Sequence, residues 1–163
     1  MQSPPERQET RPPIPEMVGA TEAPFYIGPG ITEIDLRIHP PTGPARETTR
    51  HREVILQVEN ITGDKNAPAF EVYLNLPIGA APEKYPGLFA GNLGLFGLVQ
   101  ASRPKGKHPG HGLTIHLDAT AVVARLTETK AWDASQLRIS FVAADWDAPV
   151  PKVRVGRVSL YFQ

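Results

Sequence analysis

NITGDKNAPAFEVYLNLPIGAAPEKYPGLFAGNLGLFGL, residues 60–98, decides the fold. Ala69 to Leu76 alternates apolar and polar side chains with the two-residue period of a half-buried strand. A long connection punctuated by Gly and Pro follows, and then the small-residue segment Phe89-Ala90-Gly91-Asn92-Leu93-Gly94. Before the strand, Thr62-Gly63-Asp64-Lys65-Asn66 is a turn cluster. The run Gly91-Asn92-Leu93-Gly94-Leu95-Phe96-Gly97 has the glycines of a phosphate loop but not the Lys-Ser/Thr ending, and it opens no helix. A tight strand-to-strand approach is the better reading of it.

Outward from this block the same period recurs. Ile31, Ile34, Leu36 and Ile38 mark one strand, and Val54, Leu56 and Val58 mark another. Leu93 to Gln100, Gly112 to Leu117, Gln136 to Val142 and Lys152 to Phe162 are further candidates, with Pro104-Lys105-Gly106-Lys107 as a turn between two of them. One segment breaks the pattern. From Asp118 to Trp132 the apolar positions Val122, Val123 and Leu126 follow a helical period, with Asp118 or Thr120 as the N-cap, so a single short helix is expected near 119–131. The expectation is an all-β chain, a β-sandwich or jelly-roll-like barrel of about seven strands with that one helix.

Residues 1–15 hold five prolines and almost no apolar side chain, a composition unable to offset its ordering entropy, and are expected to be a tail or linker. Residues 16–163 are expected to form one domain. The 163 residues carry 17 basic and 17 acidic side chains, so no net field draws in nucleic acid or an anionic membrane. With no cysteine, disulfides, thiolate metal sites and thiol nucleophiles are excluded. The start of the chain has no signal-type apolar run, and no stretch reaches the roughly 18 apolar residues of a membrane span. A cytoplasmic or otherwise soluble product is expected.

Candidate chemistry is sparse. His108, His111 and His116 are the nearest approach to a metal constellation, but two fall in a Pro/Gly loop and the third on a strand. Asp145 and Asp147 flank Trp146 and read as a polar loop, with Trp146 covering the core edge. Asn60-Ile61-Thr62 matches a glycosylation acceptor and reads as part of a turn. Arg46, Arg50 and Arg52 beside His51, and Arg103, Lys105 and Lys107 beside His108, lack the interleaved aromatics of a single-strand nucleic-acid platform.

Three blocks together, Ala69 to Asn75 (AFEVYLN), Phe89 to Leu93 (FAGNL) and Val153 to Val158 (VRVGRV), resemble in order and spacing the C-terminal β-domain of the tyrosinase/polyphenol oxidase family. The segment Pro15 to Thr21 is similar to the hinge that joins that domain to the catalytic one. The resemblance implies a non-catalytic chain partnered, in cis or as a separate subunit, with a catalytic domain that uses two coppers to oxidise phenols to o-quinones. Such a dicopper site needs two sets of three histidines, and this chain has five in all, so the copper is expected in the partner rather than here. The Cys-x-x-Cys of fungal members is absent.

The resemblance further implies a capping role, in which one bulky side chain of the domain plugs the catalytic entrance and keeps the enzyme latent. Such a plug has to be apolar and borne on a loop. Phe25, Tyr26, Tyr85, Leu88, Phe89 and Phe96 are the candidates. A free-standing ligand- or carbohydrate-binding sandwich is the alternative, and it expects a concave face with exposed Trp or Tyr. A small metalloenzyme built on His108, His111 and His116 is a third reading.

Overall fold

The computed structural model describes residues 14–40 and 53–163. Nine strands and two helices occur in these residues. In order they are β1 (Glu16–Ala20), β2 (Phe25–Ile27), β3 (Ile31–Arg37), β4 (Val54–Thr62), β5 (Phe70–Leu74), β6 (Phe89–Leu93), α1 (Leu98–Ser102), β7 (Leu113–Asp118), α2 (Thr120–Glu128), β8 (Gln136–Ala143) and β9 (Val153–Phe162). Single 3-10 turns at Pro82–Lys84 and Pro86–Leu88 lead into β6.

All strand pairings are antiparallel. One sheet runs β1-β9-β4-β7, with β2 also on β9, and the other runs β3-β8-β5-β6. Neither sheet closes on itself, so the fold is the sandwich and not the barrel. Alternation supplies the core: Leu56, Val58, Val155, Val158 and Leu160 point inward from the first sheet, and Leu36, Phe70, Val72, Ile139 and Phe141 from the second, all fully buried. From the helix, Val122, Val123 and Leu126 join the same core.

The three quoted blocks occupy related places. AFEVYLN is β5 with its end, and FAGNL is its partner β6, register Phe70 to Leu93 and Tyr73 to Phe89. Asn75 closes β5 in the left-handed region at φ 52°. Its Oδ1 accepts the Arg138 N–H at 3.0 Å and its own N–H donates to the Arg138 carbonyl at 2.8 Å, which prolongs the pairing with β8 by one residue. VRVGRV lies in β9, in unbroken register with β4, while on the other side of β4 the pairing with β7 shifts between Val58 and Ile61, around Asn60, whose φ is 53°.

The structure departs from the sequence expectation in four places. β1 and β2 are strands that the alternation does not mark; both are short. The expected strand 93–100 ends at Leu93, and after a turn the chain becomes α1, because Gly97 at φ 80° redirects it. Asn60 to Thr62 is the bulged end of β4 and not a turn. Trp146 is 45% exposed and does not cover the core edge; Trp132 packs on the core instead. The helix expected near 119–131 is α2; its N-cap is Ala119, not Asp118 or Thr120, and the Asp118 carboxylate accepts the Thr120 N–H at 3.0 Å just before it. The bulk of the proline-rich segment 1–15 and the cluster Arg46, Arg50, His51 and Arg52 lie outside the described residues. Among the described residues no helix is long and apolar enough to cross a membrane.

Candidate docking site

The antiparallel order sorts the loops to two ends of the sandwich. One end gathers the β2–β3, β4–β5, β6–β7 and β8–β9 connections, and the other gathers the β5–β6 connection and α2. Phe96 stands at the first end, and Tyr85, Leu88 and Phe89 at the second. A single flat partner surface meets one end or the other, so the six candidate side chains divide.

At the second end the apolar groups are engaged in part, Phe89 remaining 36% exposed. The Phe89 ring packs on Tyr73 with centroids 5.5 Å apart and planes tilted 57°. Leu88 packs on the core. Tyr85 is 37% exposed and sits between the two 3-10 turns, its N–H donating to Pro82 and its carbonyl accepting from Leu88. Gly87 lies so close to Arg125 of α2 that a β-carbon there would stand 2.6 Å from the guanidinium. Toward the first end, on β2, Phe25 is spent on Phe141, centroids 5.7 Å apart, while Tyr26 is exposed on the edge strand.

Phe96 differs from all of these. Its side chain is 100% exposed, while Leu95 before it and Leu98 after it are 5% and 1% exposed. The turn is anchored at several points. Leu98 N–H donates to the Leu95 carbonyl at 3.2 Å, and the Leu98 side chain packs on Gly63. Ser102 Oγ donates to the Leu98 carbonyl at 2.6 Å and accepts the Gly63 N–H at 2.9 Å, which fastens α1 to the β4–β5 turn. Gly112 N–H donates to Ala101 at 3.0 Å, and a β-carbon on Gly112 would collide with the Ile61 backbone. An apolar ring is thus held out into solvent by a turn with a fixed base. The strand-to-strand approach expected of the glycine run occurs at Gly91, where a β-carbon would meet Leu117 of β7 in the facing sheet at 3.0 Å.

The histidines do not converge. His108 is in a short hairpin closed by reciprocal Lys105–His108 backbone bonds, and its Nδ1 accepts the Gly110 N–H at 3.2 Å. His111 is exposed on the same connection, and His116 is exposed on β7 opposite Gln57. Among the described residues no three His, Cys, Asp or Glu side chains come together in a way that holds a metal ion. These donors do not fit a copper centre.

Two further features bear on binding. A groove of about 440 Å³ opens at the β3 edge, lined among others by Phe25, Ile34, Asp35, Arg37 and Gln136. Neither a Trp nor a Tyr lines it, which is not the aromatic face that a carbohydrate-binding module expects. On the outer face of the first sheet, Glu59 accepts from Arg157 Nε at 2.7 Å, Ser159 Oγ at 2.8 Å and Gln57 Nε2 at 2.9 Å. Burial pushes the Glu59 carboxyl up, but these three donors outweigh it and hold it below the usual glutamate value.

The anchoring residues Gly63, Leu95, Leu98 and Ser102 escape the sequence reading. Their one signal is the bracket Gly94-Leu95-Phe96-Gly97, in which an apolar pair stands inside two glycines.

A family model described as Domain of unknown function (DUF7868) matches residues 14–163. Tyrosinase HcTyr1 of Hahella sp. (strain CCB-MM4) is 28% identical over 155 residues, covering 91% of this chain and 33% of its own length. The chain therefore spans about a third of that curated relative. Latent apple tyrosinase (MdPPO1) superposes with a TM-score of 0.53 at 20% identity, over 86% of this chain and 27% of that one. Recombinantly expressed latent aurone synthase (polyphenol oxidase) superposes with a TM-score of 0.53 at 15% identity, over 85% and 25%. At these identities the structural likeness is one of fold.

Proposed function

The chain belongs to the DUF7868 family and is of the type of the C-terminal β-domain of tyrosinases and polyphenol oxidases, and on that premise we propose that it caps a tyrosinase catalytic domain. It docks by its Phe96 end, and the Phe96 ring enters the mouth of the active site in the place of a phenolic substrate. The chain takes no part in the oxidation; copper belongs to the catalytic domain, which is its partner in the same chain or as a separate one.

The observation that carries this reading is the exposed Phe96 on its anchored turn. Burying a phenyl ring in an apolar entrance favours association by roughly 2 kcal/mol, and a turn whose base is already fixed adds little ordering cost to the contact. Among the six candidates, Phe96 alone is wholly free of its own fold.

The test mixes the purified chain with the copper-loaded catalytic portion of Tyrosinase HcTyr1, its own matching third removed, and follows phenol oxidation. Inhibition competitive with substrate, lost on Phe96→Ala, supports capping. No complex and no change of rate overturns it.

A further inference from the structure

The loops that surround the Phe96 turn carry Lys65, Arg103, Lys105, Lys107 and Lys152, all exposed. Lys65 follows the Gly63 that bonds Ser102, and Arg103 is the residue after α1. Lys105 and Lys107 lie in and beside the Lys105–His108 hairpin, and Lys152 approaches Gly28 at the base of β9. Among the described residues none of these cations is in an ion pair; the two ion pairs there, Arg138–Asp35 and Arg157–Glu59, lie on the sheet faces. The same loops carry Asp64, Asp145 and Asp147, so five cations stand against three carboxylates, a local excess of positive charge in a chain with no net charge.

Unpaired like charges on neighbouring loops repel one another, a cost that a partner of opposite sign removes. We propose that the basic loops form the rim of the docking surface and recognise an acidic surface around the active-site entrance of the tyrosinase catalytic domain. This deepens the capping reading and rests on it. The division of labour is that of a protein interface, an apolar anchor at the centre and charges around it. The rim governs how fast the domain arrives, and Phe96 governs how long it stays.

A folded protein suits this surface better than a uniform polyanion does. Asp64, Asp145 and Asp147 are exposed on the same loops, next to Lys65 and on either side of Trp146. Against an anionic lipid surface these carboxylates would be repelled, whereas a protein surface can meet both signs.

The test measures association and dissociation rates between the chain and the copper-loaded catalytic portion of Tyrosinase HcTyr1 at low and high salt. It compares wild type, the triple variant Arg103→Glu/Lys105→Glu/Lys107→Glu, and Phe96→Ala. Wild-type association is expected to slow roughly tenfold or more at high salt, and the triple variant to slow comparably at low salt, with dissociation little changed. Thermal melting of the triple variant verifies folding, and the salt series on wild type needs no variant at all. Association that ignores both salt and charge reversal overturns the rim, as does binding of the chain to phosphatidylserine-containing vesicles. Failure of the capping reading is visible separately, as a complex in which Phe96→Ala inhibits as well as wild type. Absence of any complex overturns both.

Discussion

Leu95 and Phe96 are chain neighbours with opposite fates, the first 5% exposed in the core and the second fully in solvent. Strand alternation alone does not explain the pair, since β6 has already ended at Leu93. The turn between Gly94 and Gly97 points one side chain in and the next out, and α1 with its Ser102 link holds that arrangement. Truncating the two residues has separable effects. Phe96→Ala removes no internal contact and is expected to leave stability within about 0.5 kcal/mol of wild type while abolishing inhibition of the catalytic domain. Leu95→Ala is expected to cost about 2–4 kcal/mol in urea unfolding.

Ser102 is the bridge between α1 and the β4–β5 turn. Replacing it by Ala leaves the Gly63 N–H without its acceptor, at a cost of about 1–2 kcal/mol in stability. Because the bridge also fixes the base of the Phe96 turn, Ser102→Ala is expected to weaken inhibition although Ser102 itself lies at the base of the turn. Amide exchange at Gly63 and Leu98 is the direct readout, and unchanged protection there would contradict the assignment.

Gly156 faces the bulge in β4, where a β-carbon would stand 2.7 Å from the Asn60 β-carbon and 3.3 Å from the Glu59 carbonyl. Gly156→Ala is therefore expected to destabilise by about 1–3 kcal/mol. Asn60→Gly removes the opposing carbon and suits the positive φ, so the double variant is expected to recover most of the loss. Additive losses in the double-mutant cycle would show that the two positions do not meet.

Glu59 gives the fold one pH-dependent element. Its carboxyl is held below the ordinary glutamate value, so the folded state favours the ionised form. The stabilisation is therefore complete above the ordinary glutamate range and is lost as pH falls through the lowered folded value. Glu59→Gln is expected to cost on the order of 1 kcal/mol at neutral pH and to flatten the acid limb of the stability curve. Melting temperature measured from neutral to acid pH checks both.

Much of this architecture is legible in the chain because strand alternation is a short-range signal: apolar side chains recur at the two-residue period in β3, β4, β5, β7, β8 and β9, although Val72–Leu74, Ile139–Phe141 and Val158–Leu160 are buried at every position, and α2 has a helical apolar stripe. β1 and β2 are invisible for the same reason. Three to five residues give too few repeats of the period, and their strand state comes from pairing with β9, which is distant in sequence. The 93–100 segment misleads because Leu93, Leu95 and Leu98 are apolar at positions that fit either period, and only the φ of Gly97 settles which one applies. At the candidate site the chain supplies six apolar side chains and no means of ranking them. The ranking depends on what each ring touches, and the partners Tyr73 of Phe89 and Phe141 of Phe25 come from elsewhere in the sequence.

Capping depends on Phe96. The decisive measurement is the initial rate of phenol oxidation by the copper-loaded catalytic portion of Tyrosinase HcTyr1, titrated with the wild-type chain and with Phe96→Ala. Saturable inhibition by the wild type, relieved by high substrate, is expected, and none by the variant. Equal inhibition by both proteins, or phenol oxidation by the isolated chain with stoichiometric copper, would contradict it.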